Sequence, residues 1–395
     1  MRYEFSASPQ VRALIDSLGR TEDVRFSPSN SRLAVAAHNV RAIAVFEIEL
    51  GEVIELRDGV LITCDSLKMP HGVDFLDEDR LIVADRQNDL IIVPIPSGEW
   101  AGTTQHVEPL GSIDTLNGEV GVPSSVTVLR KGGVPLDVLV CDNSRNSVIR
   151  CDLDPVSPTA PEIFLKKWFD IPDGVAVSPN SDWIAVSNHE HHDVLLFRND
   201  VQLRKDSEPT GIAGSVNYPH GLRFTADNRF LLVADAGAPY VHVYRTGSTW
   251  VGMRQPASSV RVLSDDLFHA GRANPMEGGP KGMDISNDGT VMVTTCEMQP
   301  LAFDDLRAIL QTALSSVDEP RDIGPELARI EHVQRLRSWL THAQAISGVH
   351  QARAATAEAV ASATRATLDE VLTSRSWRIT APLRAMATLG RRREV

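Results

Sequence analysis

An all-β fold is the class that the sequence predicts: a six-bladed β-propeller with about four antiparallel strands per blade, followed by an α-helical C-terminal extension. One phrase recurs six times in the first 300 residues, with a small turn, an apolar strand, a polar turn, a second strand, a polar loop and a third strand. Measured from Glu22 to His71 and then from proline to proline, its copies lie 49, 53, 49, 47 and 61 residues apart. Periods of about 40–60 residues with about four short strands each are typical of propellers. After Met298 the phrase ends and helix-favouring residues follow.

The six predicted blades follow each other along the chain, with first strands that begin at Glu22, Pro70, Pro123, Pro172, Pro219 and Pro280. Their strands are short, β-branched and bounded by Asp, Asn, Gly and Pro, as in LAVAA, LIVAD, DVLVCD, WIAVSN and FLLVAD. The turns SPNSD, TADNR and SNDGT consist of residues that adopt left-handed backbone or bind their own backbone. Weaker fourth strands are predicted in VIELRDG, HVEPLGSID and VRVLSDD.

Closure of the ring is predicted at the N-terminus. Residues 10–18 (QVRALIDSL) resemble another fourth strand, which would complete the sixth blade and remove free sheet edges. Six blades is the predicted count, and a seventh blade in the longer gap 245–280 is the alternative.

Three regions are predicted: the propeller over 1–300, a helical extension over 301–370 and a basic amphipathic tail over 371–395. In the extension, Ile330, Val333, Leu336 and Leu340 are spaced by three and four residues, which is typical of one helix face. An α-hairpin packed on the propeller, or a coiled coil that makes a homo-oligomer through the C-terminal helices, would each bury this face.

Charge and composition exclude several classes. The net charge is −13, and residues 1–300 carry −15, which argues against nucleic acid as a partner. The sequence has no stretch of 18 uncharged apolar residues and no secretory signal at its start. Four scattered cysteines without a CxxC pair argue against a disulfide framework. The predicted location is therefore the cytoplasm.

Candidate site residues follow from propeller geometry, because the start of each innermost strand lies at the mouth of the central channel. The six mouth positions are Glu22, His71, Ser124, Asp173, His220 and Lys281. The loops between second and third strands lie on the same side and contribute Asp85, Arg86, Asp142, Asn143, Asn188, His189 and Asp235. A concave mouth with several polar groups is the default place for a binding site.

Roles are predicted from residue chemistry. Glu22, Asp173 and His220 are the predicted ligands of one divalent cation (Ca, Mn or Zn), because carboxylates and imidazoles suit such ions. His71, His220 and Lys281 are the predicted catalytic residues, and the loop residues are predicted to bind the ligand. His71 and His220 come from opposite walls, so one ion can bridge them only in a narrow channel or through water.

A structural alternative applies to part of this set. Asp85, Asp142, Asn188 and Asp235 each end a second strand, where such side chains often bind loop amides and close the turn. For the mouth positions two roles remain possible: contact with a ligand, or a place in the turn without any contact to a ligand.

The strings PHGVDF, PDGVAVS and PHGLRF, each with a following apolar strand such as LIVAD, resemble NHL-type six-bladed propellers. They also resemble the wider superfamily of gluconolactonases, senescence-marker-type lactonases and TolB-type propellers. The resemblance implies a divalent metal at the channel mouth, held by a Glu, Asn residues and an Asp. Glu22 and Asp173 match in kind and place, whereas His71 and His220 stand where Asn is expected. Amidating lyases of the NHL group use His ligands, which these two residues could imitate.

The tail contains SRSWRITAPLR (374–384), which is similar to a short signature in bacterial glycosyltransferases and related enzymes of surface-polysaccharide assembly. This resemblance implies glycan-biosynthesis enzymes as partners rather than catalysis. Apolar and arginine residues alternate in the same segment, which suits an anionic lipid surface and predicts peripheral contact with the inner membrane.

Three functional hypotheses remain open from the sequence. The first is a propeller that binds a small molecule or glycan-related ligand and works in surface-glycan biosynthesis. The second is a metal-dependent lactonase or hydrolase with its site at the channel mouth. The third is a structural interaction platform.

Overall fold

Six sheets, one for each copy of the repeated phrase, form the β-propeller that the sequence predicts. The computed structural model describes residues 2–115, 121–154, 156–246, 249–315 and 320–373. Within each sheet, strands that follow each other along the chain pair antiparallel, so every blade is a meander. Short links between neighbouring blades add parallel pairs at the outer edges of blades 1 and 4.

The chain begins with β1 (Arg2–Tyr3), β2 (Phe5–Ala7) and α1 (Pro9–Ser17). Blade 1 comprises β3 (Thr21–Phe26), β4 (Arg32–Ala37), β5 (Ala42–Glu49) and β6 (Ile54–Thr63). Blade 2 comprises β7 (Pro70–Phe75), β8 (Arg80–Asp85), β9 (Leu90–Pro94) and β11 (Gly111–Ile113), while β10 (Thr104–His106) pairs with blade 1. Blade 3 comprises β12 (Pro123–Lys131), β13 (Val134–Asp142), β14 (Ser147–Asp152) and β15 (Glu162–Leu165).

Blade 4 comprises β16 (Pro172–Val177), β17 (Trp183–Asn188), β18 (Asp193–Arg198) and β19 (Gly211–Ala213), with a short 3-10 turn at His189–His191. Blade 5 comprises β20 (Pro219–Phe224), β21 (Phe230–Asp235), β22 (Tyr240–Arg245) and β24 (Ser258–Arg261), while β23 (Gly252–Arg254) pairs with blade 4. Helix α2 (Asp265–Ala270) precedes blade 6, which comprises β25 (Met283–Ile285), β26 (Val291–Cys296) and β27 (Gln299–Asp305). In the described part of 245–280 there is no seventh sheet.

The turns between first and second strands have the backbone that their residues predict. Asn30, Ser181 and Asn228 adopt positive φ of 60°, 60° and 58° at equivalent places of three blades. Gly289 takes the same place in blade 6 with φ 68°. These small or amide-bearing residues therefore fix the tight turns of the repeat.

The predicted closing strand over 10–18 is wrong, because this segment is helix α1. Ser8 caps the helix by accepting a hydrogen bond from Val11 N at 3.2 Å, and Pro9 suits the first helical position. Its apolar residues Val11, Leu14 and Ile15 are buried at helical spacing in the core that blades 1 and 6 share. The ring closes instead through β1, which pairs antiparallel with β27 as the outermost strand of blade 6.

Aspartates of the innermost strands link neighbouring blades at the hub. The carboxylate Oδ2 atoms of Asp23, Asp74 and Asp284 accept from backbone amides of the next blade, those of Val73 (3.2 Å), Val128 (2.8 Å) and Phe26 (2.8 Å) respectively. All three aspartates are buried. They hold together the blades that carry the mouth residues.

The C-terminal region is helical, with α3 (Leu306–Ala313) and α4 (Gly324–Thr373). Strand β27 continues to Asp305, past the predicted border at 300, and the compact unit that contains the propeller spans Met1–Glu326. The second unit, Leu327–Val395, holds most of α4, which is one uninterrupted helix over 324–373 and not the α-hairpin that was one of the two alternatives. The predicted tail signature, 374–384, lies outside the described residues. No helix among the described residues has both the length and the apolarity to cross a bilayer.

Candidate functional site at the channel mouth

The six predicted mouth residues all lie buried at the channel. In the first five blades the pairing register shifts at this position, so that a bulge turns the mouth side chain out of the ladder. In blades 2, 4, 5 and 6 a glycine follows the mouth residue and permits the next blade to approach. A Cβ on Gly72 would lie 2.4 Å from Ser124 O, and one on Gly174 would lie 2.1 Å from His220 O. The Pro-X-Gly phrase thus places X in the channel and lets neighbouring blades meet.

Three mouth residues form a compact group of potential metal ligands. One ligand atom each from Glu22, His71 and His220 lies within 4.8 Å of the others. Glu22 Oε2 is 3.5 Å from His71 Nε2 and 3.6 Å from His220 Nε2. The two imidazole rings stack with centroids 5.2 Å apart, so the channel is narrow enough for both walls to reach one ion.

His71 is oriented by the next blade. Its Nδ1 lies 3.2 Å from the carbonyl of Ser124, so Nδ1 carries the proton and the Nε2 lone pair faces Glu22. Burial, together with the charge of Arg86, holds the pKa of His71 well below its usual value. His71 is therefore neutral near pH 7, which is the form that binds a metal.

Glu22 is the fully buried carboxylate of the group. Burial alone raises its pKa, but the charges of Lys281 and Arg20 outweigh burial and hold the pKa well below its usual value. Its Oε1 accepts from Arg20 and, at 3.3 Å, from Lys281 Nζ. Its Oε2 accepts no hydrogen bond from the described residues, although it faces both imidazoles.

Asp173, a predicted metal ligand, contacts His220 and Arg86. The structure groups His71, rather than Asp173, with Glu22 and His220 as potential ligands. Asp173 Oδ2 lies 3.0 Å from His220 Nε2, and Oδ1 lies 3.3 Å from Arg86. Burial raises the pKa of Asp173, but the contact with His220 and the charge of Arg86 outweigh burial and hold the pKa well below its usual value. Asp173 is thus an ionised partner of His220.

Three predicted loop residues surround this carboxylate. Besides Arg86, Asn143 lies beside this carboxylate, and its amide accepts from Arg86 at 3.1 Å and donates to Ser124 Oγ at 2.8 Å. His189 Nδ1 lies 3.9 Å from Asp173 Oδ2. Residues of blades 2, 3 and 4 therefore lie together around Asp173.

The remaining loop residues do not converge there, because their side-chain oxygens accept hydrogen bonds from backbone amides of their own blades. Asp85 Oδ2 accepts from the amides of Lys68 and Met69 at 2.7 Å, which closes the turn of blade 2. The other three make equivalent contacts, with Asp142 accepting from Val122 N, Asn188 from Asp170 N and Asp235 from Asn217 N. Their geometry is that of the structural alternative rather than of ligand binding.

One site residue was missed by sequence reasoning. Glu277 reaches the mouth from the connection between blades 5 and 6, with Oε1 3.1 Å from His189 Nε2 and Oε2 3.2 Å from Lys281 Nζ. Burial raises its pKa, but the His189 hydrogen bond and the Lys281 charge outweigh burial and lower the pKa to about 2. The available signal was length, because 61 residues separate Pro219 and Pro280, more than any other blade spacing.

The mouth therefore combines three kinds of chemical group in one enclosed place. It has a ligand group for a cation, anions already ionised at neutral pH, and the cation Lys281 between Glu22 and Glu277. Such a combination suits the polarisation and hydrolysis of a carbonyl group.

Comparison with known proteins identifies no family. No known family profile matches the chain, and no curated protein matches it. A functionally unknown protein from Desulfotomaculum acetoxidans is 13% identical over 73% of this chain and 83% of its own, with a TM-score of 0.48. An X-ray structure of a proposed gluconolactonase is 15% identical over 74% of this chain and 90% of its own, also with a TM-score of 0.48. Likenesses of this size say nothing about activity.

Proposed function

We propose that the channel mouth binds one divalent cation through Glu22, His71 and His220, and that the protein is a metal-dependent hydrolase of small esters or lactones. The observation that carries the proposal is the Oε2 atom of Glu22. This oxygen is buried, ionised and without a hydrogen bond from the described residues, and it faces two imidazole nitrogens. Lys281 Nζ lies 3.3 Å from this oxygen without donating a hydrogen bond to it, and a cation would satisfy the buried acceptor more fully.

The donor set favours particular ions. Two imidazoles and one carboxylate suit zinc or manganese, whereas calcium prefers an all-oxygen shell. The protein supplies three ligands and leaves further positions for water or substrate, as catalytic zinc sites do. Zinc or manganese is accordingly the proposed ion.

When bound, a divalent cation polarises a carbonyl and lowers the pKa of water. The chain's own residues would then divide the remaining work. The contact of 3.0 Å between His220 Nε2 and Asp173 would break when that nitrogen becomes a ligand, and the proton between them would leave to water. Lys281 would stabilise the negative charge that develops on the attacked oxygen. Arg86 and Asn143 would orient the substrate beside Asp173.

The test is metal content and lactone hydrolysis in the full-length protein, purified without chelator. We expect about one divalent ion per chain, and loss of both the ion and hydrolysis of δ-valerolactone in His71→Gln. Ser124→Ala is the matched control, because Ser124 holds the same mouth position in blade 3 outside the ligand group. Wild-type protein without any bound metal, or His71→Gln with full metal content, would contradict the proposal.

A non-catalytic hub is the second candidate, and the charge balance of the mouth favours it. Glu22 pairs with Arg20 and Lys281, and Asp173 pairs with His220 and Arg86. A polar cluster whose charges compensate each other can hold blades together without a ligand. It predicts that His71→Gln lowers the stability of the protein and that no preparation contains metal.

The other predictions from the sequence rest on the C-terminal region. A place beside surface-glycan assembly, contact with the inner membrane and a homo-oligomer through the C-terminal helix stay predictions. In α4, the exposed Leu336, Trp339 and Leu340 are the surface on which such an oligomer would depend.

A further inference from the structure

The Glu277 loop, residues 271–279, covers one side of the channel mouth with a carboxylate. Residues 272–276 are exposed, while Gly278 and Gly279 are anchored by hydrogen bonds from their amides to Ala236 O at 3.0 and 2.9 Å. The loop tip buries no apolar core, so it can move without uncovering one. Only 12% of the Glu277 side chain is exposed, so the loop places a largely buried carboxylate at the mouth.

Each carboxylate oxygen of Glu277 has its own nitrogen partner from the channel wall. Oε1 lies 3.1 Å from His189 Nε2, and Oε2 lies 3.2 Å from Lys281 Nζ. These two partners belong to blades 4 and 6, and both are buried. The wall therefore presents a pair of donors separated by the width of one carboxylate, which we call the carboxylate cradle. It directly adjoins the ligand group, because Lys281 Nζ is also 3.3 Å from Glu22 Oε2.

We propose that the substrate carries a carboxylate, which replaces that of Glu277 in the carboxylate cradle between His189 and Lys281. This proposal rests on the proposed function, because it names the substrate class of the same site. Glu277 is the internal occupant of the cradle, and its loop withdraws as the substrate enters. The ester or lactone carbonyl of the bound substrate then lies on the side of Glu22, His71 and His220.

Competition between the two carboxylates sets the expected effect. An external carboxylate can bind only to protein from which Glu277 has withdrawn. The apparent dissociation constant is therefore the intrinsic one divided by the fraction of such protein. Glu277→Gln keeps the shape of the side chain but removes its charge, and charge-assisted hydrogen bonds are about twice as strong as neutral ones. We therefore expect Glu277→Gln to bind malonate at least about tenfold more tightly than wild type.

Isothermal titration with malonate, with malonamide as the uncharged probe, tests this in the full-length protein. Asn274→Ala gives a second route, because Asn274 Nδ2 donates to Glu277 Oε1 at 2.8 Å and its loss loosens Glu277 without changing charge. It should also bind malonate more tightly, by a smaller factor. Glu208→Gln, at an exposed position elsewhere, is the control for charge removal alone and should match wild type. Adding His189→Gln to Glu277→Gln should abolish the gain.

Unchanged malonate affinity in both Glu277→Gln and Asn274→Ala would overturn the proposal, as would equal gains for malonamide or stronger binding of inorganic phosphate. If Glu277→Gln does not fold by circular dichroism, Asn274→Ala decides the question. The metal content of the same preparations separates the two proposals. Tighter malonate binding without metal leaves the cradle intact and refutes the metal site, whereas metal without a malonate gain refutes only the cradle.

Discussion

The close approach of blades 4 and 5 at Gly174 leads to a sharp prediction for Gly174→Ala. The new Cβ would lie 2.1 Å from His220 O and 2.9 Å from Ser187 Oγ, whereas real Cβ atoms essentially never come within 3.0 Å of such an atom. The backbone at His220 would have to move by roughly 1 Å, and overpacking of this kind costs about 1–3 kcal/mol. His220 would also move relative to Asp173 and Glu22, so the variant should lose metal as well as stability.

Urea unfolding followed by tryptophan fluorescence measures the loss of stability, and metal analysis measures the site. Gly111→Ala is the matched control, because a Cβ there meets nothing within 4 Å and Gly111 also lies in a strand. It should leave both quantities near wild type. A Gly174→Ala variant as stable as Gly111→Ala, with unchanged metal content, would refute the inference that blades meet at the mouth glycine.

Three further predictions concern the hub and ring closure. Asp74→Ala leaves the buried amides of Phe75 and Val128 without their acceptor. It should lower the free energy of unfolding, measured in urea, by about 2–4 kcal/mol. The control Asp79→Ala, at an exposed position, should leave that free energy unchanged. Burial raises the pKa of Asp284 to about 6 from 3.8, so the folded state holds this proton more tightly. The stability that it contributes at low pH is lost as pH rises from about 4 through 6, and Asp284→Asn should flatten that slope in unfolding measured at pH 4.5 and 7. Deletion of residues 1–3 removes β1 from β27 and should lower the unfolding midpoint and increase aggregation, seen by light scattering; an unchanged midpoint would contradict closure by β1.

The fold could be predicted from the sequence because the same local signals recur in several blades. Blades 2, 4, 5 and 6 share the Pro-X-Gly start, and blades 1, 4, 5 and 6 share the αL turn, so the six mouth positions could be located from the sequence. Segment 10–18 was misassigned because a short apolar run suits both strand and helix. The Ser8-Pro9 capping signal, and the spacing of Val11, Leu14 and Ile15, were the features that favoured a helix.

The candidate site was accessible only in part. Which residues surround the channel follows from the repeat, but which nitrogens face which oxygens depends on distances across the hub. Asp173 and His71 both lie near His220, and His71 rather than Asp173 is grouped with Glu22 by distances that the sequence does not contain. Glu277 lies outside the repeat, so the repeat could not locate it.

The most direct test of the metal proposal is a crystal structure of the full-length protein grown with Mn²⁺, with anomalous data. The account predicts one strong anomalous peak at the channel mouth, bonded to Glu22 and to the Nε2 atoms of His71 and His220. Crystals whose only peaks lie elsewhere, with His220 still bonded to Asp173, would contradict it.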